Sequence, residues 1–206
     1  MKNLNATTDT AYYLKQGNLT KFFLDTEIIK EKVFCDYDIK KNTINNYTPL
    51  NSIFNFIHHY TKFGNQEFNS KYRFERTAQE IWESKTMASC TDYTLLFVTF
   101  ARQIGYPATF LHTAEDNYIK QLKNNKNCHH DGHSFCEVFY ENKWILVDPT
   151  NKKIEFTYNP QKLILTYNIG PGNIYIPYFR DLDLNVKQST KEHNEFMDKC
   201  CKNLNY

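Results

Sequence analysis

The stretch MASCTDYTLLFVTFARQIGYPA, residues 87–108, constrains the fold more than any other part of the chain, because it reads as a helix marked at both ends. Ser89 or Thr91 can cap it, Asp92 falls in the first turn where a carboxylate complements the helix dipole, and Gly105 followed by Pro107 stops it. Its middle, with Tyr93, Leu95, Leu96, Phe97, Val98, Phe100, Ala101 and Ile104, is apolar nearly all round, the pattern of a central buried helix. Cys90 is thereby placed at or next to a helix N-terminus.

Beyond Pro107 the hydrophobic period changes to two. ATFLHT, HSFCEVFYE and KWILVDP read as strands, the last two joined in an antiparallel hairpin by a turn at Glu141, Asn142 and Lys143. IEFTY and LILTY are further strand candidates, and IGPGN is a loop. Upstream, helical spacing runs over residues 10–34, 49–63 and 74–84, with a turn-rich loop at 35–49 that leaves Pro49 in a helix's first turn. Residues 117–132 form a polar excursion ahead of the hairpin, and the connection over 113–132 is expected to be a loop hanging over the rim of a cleft as a lid or substrate-selecting element. Near the C-terminus Ser189 and Glu192 form a capping-box pattern. The expectation is an α+β fold of one domain over residues 1–206: a helical part to residue 73, a core over 74–150, then strands and a helix over 151–206.

Composition removes several classes of function. With 25 Lys and Arg against 23 Asp and Glu, scattered rather than striped, charge lends no support to nucleic-acid binding. No apolar run approaches the roughly 18 residues of a membrane span, and the polar N-terminus lacks a secretory apolar region, so a cytoplasmic protein is expected. Hydrophobic residues make up 41% of the chain, enough for a sizeable core without disulfides, so the six cysteines are expected to be reduced. Cys35 is read as a small core residue, and Cys200 and Cys201 as residues of a C-terminal helix. The neighbours of Cys90, Cys128 and Cys136 suggest chemistry.

A cysteine at a helix N-terminus is a candidate nucleophile, since the dipole and a nearby imidazolium both favour its thiolate. His133 opens the long strand and Asp148 closes the adjacent one; the tight turn near 142 brings them within a few residues of register. In such a set His133 would take and return the proton while Asp148 orients the ring. The competing reading is zinc: CHHDGHSFC gathers Cys128, His129, His130, His133 and Cys136 into nine residues. Its spacing fits no known finger, and Cys136 falls on the opposite strand face from His133.

The segments SCTDYTLLFVTFARQIGYPATFLHT and GHSFCEVFYENKWILVDPT closely resemble the core motifs of the transglutaminase-like superfamily. These are a Cys-x-Asp helix ending in Arg-x-x-Gly-x-Pro-Ala, a His-x-x-x-Glu-Val strand and a Trp-x-x-x-Asp-Pro-Thr strand, over roughly residues 74–150. The tail YFRDLDLNVKQSTKE also resembles the end of small bacterial members. The resemblance implies a papain-like α+β core with catalytic Cys90, His133 and Asp148 and no cofactor. Ala88 and Ser89 depart from it, standing where many relatives carry Gly before the Cys. The superfamily spans cross-linking enzymes, cysteine proteases, amidases and inactive members, so fold and triad leave the substrate open.

The expected reaction is acyl transfer on an amide or ester carbonyl through a Cys90 thioester, with hydrolysis favoured over amine transfer and a protein or peptide as substrate. No nucleic-acid or membrane partner is expected. The alternatives are a catalytically idle protein-binding module of the same superfamily and a zinc-binding interaction protein. The Cys90 backbone N–H is expected in the oxyanion hole, with Gln79, Trp82 or Tyr60 as candidate second donors. Asp92 is read as a helix-terminal carboxylate and Glu137 as a neighbour of His133 on the same strand face. Trp82 and Trp144 are read as core aromatics, and Arg102 as an ion-pair partner.

Overall fold

A computed structural model describes residues 10–22, 25–72, 76–124, 131–160, 165–166, 174–181, 191–195 and 198. Cys128, His129, His130, Cys200, Cys201, Ser189 and the IGPGN loop lie outside the described residues, and the readings made for them go no further.

The N-terminal helices are shorter and later than the sequence spacing predicts. A 3-10 turn at Tyr12–Leu14 is followed by α1 (Thr26–Lys40), which the Asp25 carboxylate caps by accepting the Glu27 N–H at 2.9 Å. Helix α1 therefore runs into the first part of the segment read as a loop, the loop itself beginning only after Lys40, and Cys35 is exposed rather than in the core. Acidic and basic residues one turn apart, Asp36 with Lys40 at 2.5 Å among them, support that last turn without apolar periodicity. Helix α2 (Pro49–Tyr60) carries Pro49 in its first turn and is capped by Thr48, whose N–H donates to Asn51 Oδ1 at 2.8 Å. A two-residue strand β1 (Lys62–Phe63), helix α3 (Gln66–Tyr72), helix α4 (Ala78–Ser84) behind a Thr77–Glu80 capping box, and strand β2 (Thr86–Met87), parallel to β1, lead into α5 (Cys90–Gln103).

Helix α5 ends as read: Gly105 takes φ +99°, and the Tyr106 N–H reaches back to the Ala101 carbonyl at 2.8 Å. The chain then enters β3 (Ala108–Glu115), α6 (Asp116–Lys123), β4 (Gly132–Tyr140), β5 (Lys143–Asp148), β6 (Lys153–Glu155), β7 (Leu165–Thr166) and β8 (Ile174–Asp181). The sheet is antiparallel, in the order β6-β5-β4-β3-β8-β7. Glu141 and Asn142, at φ 48° and 64°, make the β4–β5 turn a two-residue one, so Lys143 already belongs to β5 and pairs with Tyr140.

One sheet face meets α5. Phe110, Cys136, Val138, Ile145, Val147 and Phe179 form one core with Leu95, Leu96, Phe97, Val98 and Phe100 and with Ile53, Phe54 and Ile57 of α2. Leu111, Phe135, Leu146 and Tyr175 form a smaller cluster on the other face, as strand alternation requires. Arg102 donates from Nη2 to the Ala108 carbonyl at 2.7 Å and from Nη1 to Thr20 at 3.3 Å, so its role is to hold the start of β3.

Two elements of the C-terminal half also differ from the sequence reading. The polar excursion begins as the helix α6, whose Tyr118 and Ile119 are buried against Ala114 and Ile176; Leu122 packs beside them. Strand β8 lies between β3 and the edge strand β7, although it carries Pro177. A register shift between His112 and Thr113 accommodates the proline: His112 faces Phe179 and Thr113 faces Pro177, leaving Tyr178 as the bulged residue.

Candidate active site

The N-terminus of α5 is held by a buried ion pair. Asp92 accepts the Arg76 guanidinium at 2.5 Å and the Ala88 N–H at 2.6 Å, and Arg76 also donates to Ser84 Oγ and the Thr86 carbonyl, both at 2.8 Å. These bonds tie the 84–88 segment to the first turn of the helix. Ser89 occupies the cap position without a side-chain cap bond, and the Thr91 hydroxyl turns to Ser134, so neither predicted cap residue caps. The Asp92 carboxyl is nevertheless raised, because burial outweighs its bonds to Ala88 and Arg76. Its place is beneath the cysteine, as a support.

Cys90, the first residue of α5, is half-buried and lines one cavity with His133 and Ser134, the two residues that act on its thiol. His133 Nε2 lies 3.0 Å from Asp148 Oδ1, which leaves Nδ1 for the thiol. Asp148 is fully buried and otherwise occupied: Oδ1 accepts the N–H groups of Thr150 at 3.0 Å and Asn151 at 3.1 Å, and Oδ2 accepts Asn151 Nδ2 at 2.8 Å. The Asp-Pro-Thr-Asn turn thus fixes the carboxylate before the imidazole meets it. The carbonyl of Pro149 is bonded in turn to His58 Nε2 at 2.8 Å, joining α2 to the same turn.

These contacts shift both titrations in the direction of a thiolate–imidazolium pair. Burial by itself would raise the Cys90 thiol, but the His133 hydrogen bond and charge, with the Ser134 bonds, hold it below its usual value. Burial would likewise lower His133, and the hydrogen bonds to Asp148 and Cys90 overcome it, pushing the ring up to about 10. Cys136, by contrast, is buried on the α5 face among apolar side chains, its thiol raised by burial, and donates weakly to the Val147 carbonyl at 3.8 Å.

A cavity of about 190 Å³ opens onto this group, lined by Cys90, His112, Asp131, His133, Ser134 and Tyr178 among others. His112, Ser134 and Tyr178 were not legible as site residues. Nothing in the sequence sets His112 opposite Ser134, and Tyr178 arrives through the β8 bulge. A larger cavity of about 500 Å³ between α1 and α2 is lined by Lys32, Asp36, Lys40 and His58 among others, and among the described residues no cysteine borders it.

The remaining predicted donors are placed elsewhere. Gln79 bonds Glu83 at 2.7 Å on the surface of α4, and Trp82 is buried among Phe22, Phe56 and Phe100, with Tyr60 against it. Neither these nor Asp92 lines the Cys90 cavity. Glu137 does share a strand face with His133, but its carboxylate is engaged by Arg180, 2.5 Å away, and by the Tyr158 hydroxyl, so it serves the far side of the sheet. Trp144 packs edge-on against Tyr13 and Phe139. Among the described residues no cluster of three His, Cys, Asp or Glu side chains could hold a metal ion, and no helix is long and apolar enough to cross a membrane.

A helix-borne cysteine on an antiparallel sheet, with a histidine and an aspartate brought from neighbouring strands, defines the papain-like class of α+β folds. The profile of the transglutaminase-like superfamily matches residues 36–149, more than half of the chain, and the protein belongs to that superfamily. Its fold is similar to the crystal structure of a proposed cysteine protease from Cytophaga hutchinsonii, with a TM-score of 0.52 at 13% identity over 89% of this chain. The chain spans 50% of the length of that structure. No curated protein matches the sequence significantly.

Proposed function

We propose that the protein is a cysteine-dependent acyl-transfer enzyme acting on an amide or ester carbonyl of a protein or peptide. The observation that carries this reading is that Cys90 and His133 line one cavity while Asp148, buried behind the ring, holds His133 Nε2 at 3.0 Å. In the reaction Cys90 Sγ attacks the carbonyl carbon, and the oxyanion is met by the Cys90 N–H, one of the helix-terminal donors that lack an intrahelical partner. His133 passes its proton to the leaving amine or alcohol, giving the thioester. Water then enters, His133 takes its proton, and the acid is released with the thiolate restored. Asp148 keeps the ring oriented and stabilises its cation.

The test is intact-mass measurement after brief, low-dose iodoacetamide, followed by incubation with a peptide p-nitrophenyl ester. A single fast alkylation at Cys90 and an acyl adduct that disappears with time are expected, both lost in Cys90→Ala. Fast alkylation without any acyl adduct on a panel of such esters would instead describe a catalytically idle module.

A further inference from the structure

The acyl-transfer chemistry leaves several cavity residues without a role, His112 and Ser134 among them. His112 of β3 and Ser134 of β4 are set directly opposite each other by the ladder, on the face that meets α5, with Ser134 Oγ 3.4 Å from His112 Nδ1. Ser134 shares a second hydrogen bond with Thr91 Oγ1 at 3.0 Å, while its carbonyl accepts the Thr94 hydroxyl at 3.0 Å. Ser134 and Cys90 also line the same cavity, and Ser134 is among the groups that hold the thiol below its usual value. The first turn of the cysteine helix is therefore tied to a single strand residue.

A hydroxyl offers one proton and two lone pairs. Around Ser134 Oγ stand three groups, Cys90 Sγ, Thr91 Oγ1 and His112 Nδ1, and only one of them can receive the proton. A thiolate is the strongest acceptor of the three. The proton goes there when the other two neighbours donate: Thr91 through its hydroxyl, His112 through Nδ1–H. The tautomer of His112 thus governs where Ser134 points.

We propose that His112 is a positioning residue of the Cys90 site, which by donating from Nδ1 to Ser134 turns the Ser134 hydroxyl onto the cysteine sulfur. This deepens the acyl-transfer reading and rests on it. The titratable groups facing one another here are Cys90 from α5, His112 from β3, Asp131 and His133 at the start of β4, and Tyr178 from β8.

The experiment is the rate of Cys90 alkylation by iodoacetamide against pH, in wild type and in folded variants checked by thermal melting. Ser134→Ala removes a charge-assisted bond and should raise the apparent thiol pKa by about one unit, a roughly tenfold loss of thiolate at pH values below it. His112→Phe should raise it in the same direction, and His112→Asn, whose amide overlies Nδ1, should restore most of the wild-type profile. The double variant Ser134→Ala, His112→Phe should match Ser134→Ala alone, because His112 acts through Ser134. If His112→Phe does not fold, His112→Gln replaces it, its amide falling near the Nε2 position and out of reach of Ser134. A wild-type profile in the His112→Phe or His112→Gln protein, or additive effects in the double variant, overturns the proposal while leaving the acyl-transfer reading intact. A wild-type Cys90 that reacts no faster than Cys35 overturns both.

Discussion

His133 Nε2 meets Asp148 Oδ1 at 3.0 Å although the two residues are not opposite each other in the β4–β5 ladder. The ladder sets Cys136 against Val147, which brings Asp148 level with Phe135, and His133 lies two residues further along the same strand face. A diagonal neighbour of this kind is within reach of long side chains. A shift of a single residue would have sent the two to opposite faces. The two-residue turn at Glu141 and Asn142, both at positive φ, therefore decides the meeting.

The pH profile of a peptide ester or amide follows from the two shifted groups. A lowered thiol sheds its proton at lower pH, and a raised imidazole keeps its own to higher pH. Acylation should rise as the medium passes the Cys90 titration, below the ordinary value of about 8.5, and hold a plateau. It should fall as His133 deprotonates, near pH 10. A profile that climbs through an ordinary thiol titration, measured by stopped-flow release of p-nitrophenol, would sink the assignment of an activated Cys90.

Asp148→Asn keeps an acceptor for the Thr150 and Asn151 N–H groups but loses the charge that favours the His133 cation. The turnover rate should drop by about 10²–10⁴ with melting behaviour near wild type, and the alkaline limb should move to lower pH. Equal rates for variant and wild type would remove Asp148 from the mechanism.

Asp92→Ala leaves the Arg76 guanidinium buried without its partner and the Ala88 N–H without its acceptor. Removing one member of such a pair costs about 3–5 kcal/mol. Urea unfolding should show a loss of that size, and Cys90 alkylation should slow because the helix start is released. A change under about 1 kcal/mol would show that the pair does not hold this end of α5.

Ile119→Ala tests the helix that replaces the expected loop. Ile119 is fully buried against Ala114 and Ile176, so the substitution should cost about 2–4 kcal/mol in chemical denaturation. An unchanged midpoint would mean that α6 contributes nothing to the core and behaves as the surface connection the sequence suggests.

The helix of Cys90 and the hairpin that follows it were legible because their signals are local. An N-terminal Asp, a Gly-x-Pro stop and a switch from helical to alternating periodicity act within a few residues, and the turn near 142 confines His133 and Asp148 to one end of the hairpin. The same locality explains the failures. Helix α6 carries few apolar residues, and only the surface offered by Ala114 and Ile176 makes Tyr118 and Ile119 a core. Strand β8 is interrupted by Pro177, and its place beside β3 depends on a bulge that only the neighbouring strand reveals. Asp92 and Arg76 are 16 residues apart, Glu137 and Arg180 are 43 apart, and buried charges are partnered by whatever the packing brings within reach. The sequence alone determined which groups could perform cysteine chemistry and in what local settings; register and packing between distant segments decided that Cys90 also meets Ser134, that His112 stands behind it, and that Gln79, Trp82 and Glu137 lie away from the cavity.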